Sequence, residues 1–326
     1  MAPNAMSSHH VLILLGGLLA LAGCGNSTTS TEDQDAGGPN NPAEDGGGTT
    51  SPVDGGGGGK ADGGSGDGGD GGPVLPTDDC ASGPVGLASD ATGVTTKVKS
   101  NGFVELDTAA SNAITSLKTT LLVPPPPPQQ GTVFLWPGIQ PLPGGNNYEP
   151  IDNGVLQPVL TWGPTCAPHF PSATPYASWW ISAQYVNTFG SHAGYTGCSG
   201  GPGMNVQPGE LLGLEMTLDG TTWKQKVTDA KTGKSVAFDI DMLGQAQARA
   251  DFAIEDYAGG SPTTDVVFTD TQVTFAGSSF TACQPIVRGA NDYFATPHTS
   301  ADGRHCCISR IILRAVGVAA TSPNEP

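Results

Sequence analysis

Two short stretches carry residue types able to do acid–base chemistry. In Val155-Leu156-Gln157-Pro158-Val159-Leu160 a single glutamine interrupts an apolar run. A run apolar on both sides reads as a central strand covered on both faces. Gln157 needs partners for its carbonyl and its amide there, so it is either a structural bridge or a site residue. The second stretch is Ala250-Asp251-Phe252-Ala253-Ile254-Glu255-Asp256-Tyr257. At a period of two, Phe252 and Ile254 share one face, and Ala253, Glu255 and Tyr257 share the other. The first face reads as core. The second reads as the floor of a groove or as an outer sheet face turned to solvent. On a groove floor, a carboxylate flanked by Ala and Tyr has a raised pKa and can serve as acid or base.

Other constellations are weaker. Gly197-Cys198-Ser199-Gly200-Gly201 fits a Gly-x-Ser-x-Gly pattern, but no strand–turn–helix context surrounds it. Trp136, Trp162, Tyr176, Trp179 and Trp180 either fill a core or make a platform for stacking sugar rings. A glycoside hydrolase would want a second carboxylate within about 5–10 Å of the first, and Asp256, the nearest in pattern to Glu255, points the other way. Six cysteines follow Cys24, at positions 80, 166, 198, 283, 306 and 307. In an exported domain they imply up to three disulfides, with adjacent Cys306 and Cys307 bonded to different partners. No Cys-x-x-Cys pair accompanies His305, so a zinc site is not expected. Neither a metal nor a cofactor is called for.

The elements that must position these residues read as β-strands. Helical periodicity is nearly absent, and only Ala109 to Lys118 permits a short helix. Short β-rich runs recur between turn signals at Phe103–Leu106, Leu117–Val123, Thr132–Trp136, Gly154–Trp162, Ala177–Val186, Glu210–Leu218, Thr221–Thr228, Lys234–Ile240, Ala250–Tyr257, Asp265–Phe275 and Ser309–Val318. Asp219-Gly220 and Lys231-Thr232-Gly233 mark hairpin turns. So many strands without intervening helices predict an all-β sandwich or barrel over residues 80–326.

The first eighty residues have a different composition. Of the net charge of −17, a share of −10 falls between Gly25 and Asp79, where eighteen glycines and eleven acidic residues accompany one lysine. Such a segment cannot bury enough surface to offset its ordering entropy, so residues 24–79 read as a disordered Gly/Asp-rich tether. With no Lys/Arg cluster to neutralise phosphates, nucleic acid is excluded as a partner. Val11 to Ala22 is too short to span a bilayer comfortably and suits a signal-peptide core. The following Leu21-Ala22-Gly23-Cys24 resembles the lipobox of bacterial lipoproteins. That resemblance implies a signal peptide over residues 1–23, acylation of Cys24, and an exported lipoprotein held at the cell envelope, in the outer membrane or at the cell surface.

Segments of the 80–326 domain, in order, resemble the glutamic peptidases, or eqolisins. Val123-Pro124 precedes Trp136-Pro137-Gly138-Ile139, as the family's Val-Pro precedes its Trp-x-Gly-Ile. Val155-Leu156-Gln157 matches the Ile-Leu-Gln that carries the catalytic glutamine. Pro208-Gly209-Glu210 and Lys231-Thr232-Gly233-Lys234 resemble its next turns, and residues 250–257 follow the strand holding the catalytic glutamate. The resemblance implies a concanavalin-like sandwich of two antiparallel sheets and an acid endopeptidase acting, as a monomer, on polypeptides. Glu255 would activate a water and then protonate the leaving amine. Gln157 would stabilise the oxyanion, with Trp136, Trp179 and Tyr257 contacting substrate. The chain departs from the family at Gln140 (an Asp there), at Ile181 (a supporting Glu) and at Pro158 (usually Thr). The alternative reading is an inactive or carbohydrate-binding relative.

Overall fold

The computed structural model describes residue 80 and residues 102–127, 131–142, 154–165, 176–192, 194–279, 281–287, 292–294 and 297–318. The signal segment, the tether and the lipidation position Cys24 lie outside these residues. Among the described residues there is one 3-10 turn, Ala110–Asn112, and otherwise only β-strands. No described helix is long and apolar enough to cross a membrane.

The strands form two sheets of eight, and every pairing is antiparallel. One sheet runs β13 (Ile286–Val287), β1 (Phe103–Asp107), β11 (Arg249–Tyr257), β3 (Thr132–Gln140), β4 (Val155–Trp162), β5 (Trp179–His192) and β6 (Tyr195–Gly200), with β7 (Met204–Val206) also paired to β5. The other runs β10 (Ser235–Asp241), β9 (Thr222–Asp229), β8 (Leu211–Asp219), β2 (Ile114–Leu122), β12 (Val266–Phe275), β16 (His305–Leu313) and β14 (Tyr293–Phe294), with β15 (His298–Thr299) beside β16.

The sheets bury a common core because alternate residues of each strand are apolar. Leu135, Leu160, Ile181 and Phe252 from the first sheet meet Leu117, Val227, Phe268 and Ile311 from the second. Phe252 and Phe268 touch edge-on at 5.3 Å between centroids. The result is the expected sandwich.

Two sequence expectations change. The short helix permitted over Ala109–Lys118 shrinks to the 3-10 turn, and β2 begins at Ile114. Pairing to β8 on one side and β12 on the other satisfies the β2 backbone, and buried Ile114, Leu117 and Leu121 gain the core. Tertiary burial outweighs local propensity here. Strand β6 was not expected at all, since Tyr195-Thr-Gly-Cys-Ser-Gly200 carries no apolar alternation. The hairpin at Asp219-Gly220 is present, with Gly220 at φ +64 between the paired Asp219 and Thr222.

Cys307 is bonded to Cys80 and Cys306 to Cys283, so the adjacent cysteines do take different partners. Cys198 is disulfide-bonded as well. These disulfides are consistent with an extracellular protein.

Candidate active site

The chemistry-bearing side chains lie on the face of the first sheet turned away from the inter-sheet core. Strand alternation puts them there. In β3, Leu135 and Ile139 enter the main core, so Phe134, Trp136, Gly138 and Gln140 face the other way. In β11 the same parity gives Arg249, Asp251, Ala253, Glu255 and Tyr257, and in β4 it gives Val155, Gln157, Val159 and Thr161. A second small apolar cluster of Trp136, Val155, Val159 and Ala253, with Phe103 and Phe134 against it, floors this face.

Register then fixes the relative positions. Glu255 stands opposite Phe134, Ala253 opposite Trp136 and Asp251 opposite Gly138. Between β3 and β4, Leu135 pairs with Leu160 and Ile139 with Leu156, which brings Gln157 level with Gly138. Glu255 and Gln157 thus flank β3 on a diagonal, four positions apart along the strands, with Trp136 at its midpoint. Pairing lapses between those two β3–β4 pairs, where Pro137 and Pro158 come level and neither has an N–H to give.

Trp136 holds Glu255. Its indole Nε1–H donates to Glu255 Oε2 at 3.1 Å. At the ring's other edge, a Cβ added to Gly138 would lie 2.8 Å from Trp136 Cζ3. The glycine is therefore the space in which the indole lies. Burial pushes the Glu255 carboxyl up to about 7, and the indole hydrogen bond works in the opposite direction. Glu255 nevertheless keeps partial exposure at its end of the strand. Gln157 is 5% exposed, and its Oε1 has no hydrogen-bond partner. Beside it, Gln184 of β5 donates from Nε2 to Ser182 Oγ at 2.9 Å.

Below this diagonal lies a buried polar cluster that the sequence reading did not anticipate. Arg249 forks onto Asp107, Nε to Oδ1 at 2.5 Å and Nη2 to Oδ2 at 2.7 Å, with Glu105 Oε2 3.5 Å from Nη1. Gln140 Nε2 donates to Asp251 Oδ2 at 2.7 Å. Burial raises the Asp251 carboxyl to about 8 against the pull of Arg249 and Gln140. Glu105, Asp107 and Asp251 thus bring three carboxyls to this face, whereas Ile181 lies in the inter-sheet core. A signal existed in Phe103-Val-Glu-Leu-Asp107, whose alternation sends Val104 and Leu106 to the core and Glu105 and Asp107 to this side.

The expected substrate contacts separate. Tyr257 is on the site face, 39% exposed, and meets Phe134 edge-on at 5.7 Å. Trp179 is not on it. It is 1% exposed within the inter-sheet core, against Trp162 at 5.6 Å, because its parity along β5 matches that of Ile181. Trp136 and Trp180 are fully buried on the other side, so these four indoles make no open platform for sugars. Ser199 lies within a strand, next to the bridged Cys198. Among the described residues no group of three or more His, Cys, Asp or Glu could hold a metal ion.

No family model and no curated protein matches the chain. Solved structures do resemble it. Scytalido-glutamic peptidase, determined with a peptide-based transition-state analogue, is similar at 16% identity and TM-score 0.42, over 65% of this chain and 98% of its own. SCP-B, a member of the eqolisin family in complex with the tripeptide Ala-Ile-His, is similar at 15% identity and TM-score 0.39, over 67% and 100%. A bacteriophage CBA120 tailspike domain is similar at 13% identity and TM-score 0.28, over 59% and 24%. At these values the likeness describes sheets and assigns a role to no residue of this chain.

Proposed function

We propose that this chain is an exported endopeptidase, tethered to the envelope through Cys24, that hydrolyses peptide bonds with Glu255 and Gln157. Ionised Glu255 takes a proton from water, and the resulting hydroxide attacks the scissile carbonyl carbon. Gln157 Nε2 donates to the oxygen as it becomes an oxyanion. Protonated Glu255 then gives its proton to the departing amine as the C–N bond breaks, which leaves an acid and an amine and restores the carboxylate. The observation that carries this reading is a half-buried carboxyl, held by Trp136 and raised by burial, on the same face as a buried glutamine.

The raised Glu255 carboxyl bears on the acid working range that the family resemblance implies. An acid working range suits a glutamate of ordinary pKa. With Glu255 near 7, the fraction able to act as base falls about tenfold for each pH unit below that value. The base-first route therefore gives kcat/KM a rising limb through about pH 7, levelling above it.

The test is hydrolysis of a denatured protein substrate across roughly pH 2–9, comparing the protein with Glu255→Gln. Loss of about 10²–10⁴ in rate in the variant is expected. Cleavage that survives the substitution would assign the activity elsewhere. An optimum well below pH 5, lost in Glu255→Gln, would keep the peptidase but mean that protonated Glu255 starts the reaction.

A further inference from the structure

On the site face, the two sides of Trp136 are unlike. Toward Asp251 the surface is closed, with Gln140, Arg249 and Asp251 all fully buried. Toward the end of β11 it opens onto two aromatic rings. Phe134 is the direct cross-strand neighbour of Glu255, and Tyr257 is the next residue of β11 on the same face. Tyr257 is the one exposed aromatic among the residues whose side chains are described. Tyr257 rests its ring edge on Phe134 and keeps 39% of its surface in solvent, so aromatic surface stands open beside Glu255.

The proposed proton path says what would lie on it. Glu255 must come within hydrogen-bond reach of the departing amine nitrogen. The side chain one bond beyond that nitrogen belongs to the first residue after the scissile bond. With Trp136 buried against Glu255 on one side, the accessible neighbours are Phe134 and Tyr257. We infer that these two rings form the subsite for that residue, and that the preferred substrates are peptides with an aromatic or large aliphatic side chain immediately after the cleaved bond. The inference rests on the peptidase reading. The subsite is neutral: burial first, then the charges of Glu255 and Asp256, push the Tyr257 hydroxyl up to about 12. Ionised Glu255, on the same face, repels Asp or Glu from the position.

A peptide series identical except for Phe, Leu, Ala or Asp after the scissile bond tests this with the purified protein. Phe and Leu peptides should exceed Ala in kcat/KM by roughly tenfold, with Asp lowest. Tyr257→Ala should bring the Phe/Ala ratio to within about threefold while the Ala peptide is still cut, and Tyr257→Phe should keep the preference. No preference in the wild type, or a ratio untouched by Tyr257→Ala, would overturn the subsite. If no peptide is cut, the peptidase reading fails, and fluorescence anisotropy on the same peptides decides the subsite separately. Tighter binding of the Phe peptide that Tyr257→Ala removes would uphold it, and equal binding of Phe and Ala peptides would overturn it.

Discussion

The indole of Trp136 sets both the position and the acidity of Glu255. Burial favours the neutral carboxyl, and the single N–H from Trp136 is what favours the charged form. A hydrogen bond to a charged group is worth about 1.5–3 kcal/mol, or one to two pH units. Trp136→Phe removes the donor and keeps most of the ring. The Glu255 pKa should then rise, and the rising limb of the kcat/KM profile should move about one unit to higher pH. A limb that stays in place would show that the Nε1–Oε2 bond does not act on the ionised carboxylate. Asp251, on the same strand and more deeply buried, is pushed up to about 8 by that burial, against the pull of Arg249 and Gln140. Burial thus raises two carboxyls four residues apart on one strand.

At the scale of elements, the site is made by three neighbouring strands and by what two of them lack. Glycine in the middle of β3 is costly for a strand on propensity grounds. Here its missing side chain receives the Trp136 ring. Gly138→Ala would force that ring to shift by several tenths of an ångström, and the indole N–H would move with it. Activity should fall by about ten- to a hundredfold, following the sensitivity of catalysis to small misplacements. Denaturant unfolding should show a loss of only about 1–3 kcal/mol, the usual range for overpacking. Unfolding of the whole domain instead would make Gly138 a folding residue rather than a positioning one. Pro137 and Pro158 make a second such feature. Alone, Pro158 reads as a defect in a central strand. Level with Pro137 across β3–β4, it belongs to one shared gap in the ladder beside Gln157.

At the scale of the whole molecule, two crosslinks meet on β16. Its consecutive Cys306 and Cys307 bind Cys283, 23 residues away, and Cys80, 227 residues away. Crosslinks restrict the unfolded chain more when they close longer loops, with typical values of about 2–4 kcal/mol each. Cys80→Ser should therefore lower the urea midpoint more than Cys283→Ser, measured with the thiols blocked. The reverse order would mean that native-state contacts, not loop entropy, carry the stabilisation. Strand β16, which carries both crosslinked cysteines, belongs to a different sheet from β11. Each variant should thus lose stability before it loses kcat at low temperature.

Most of the architecture is legible in the amino-acid order because a sheet repeats every two residues. That period marks the longer strands but not β6 or the short β7, β13, β14 and β15, separates the two faces of β11, and puts Glu255 with Tyr257 away from Phe252 and Ile254. It also marks Glu105 and Asp107, although nothing local says what they would meet. Strand β6 and the start of β2 stay hidden, because a Gly/Ser-rich edge has no alternation and Ile114–Lys118 suits two conformations locally. The face taken by Trp179 is hidden too: in a run such as Trp179-Trp180-Ile181 both sides are apolar, and only the pairing of β5 with β4 and β7 decides which indole enters the core. What the tertiary structure alone decided is the pairing register. Register turns residues that are distant in the chain into Trp136 beside Glu255, Gln140 beside Asp251 and Arg249 beside Asp107. It also creates the burial that moves the Glu255 and Asp251 carboxyls, since desolvation belongs to a position in space and not to a residue type.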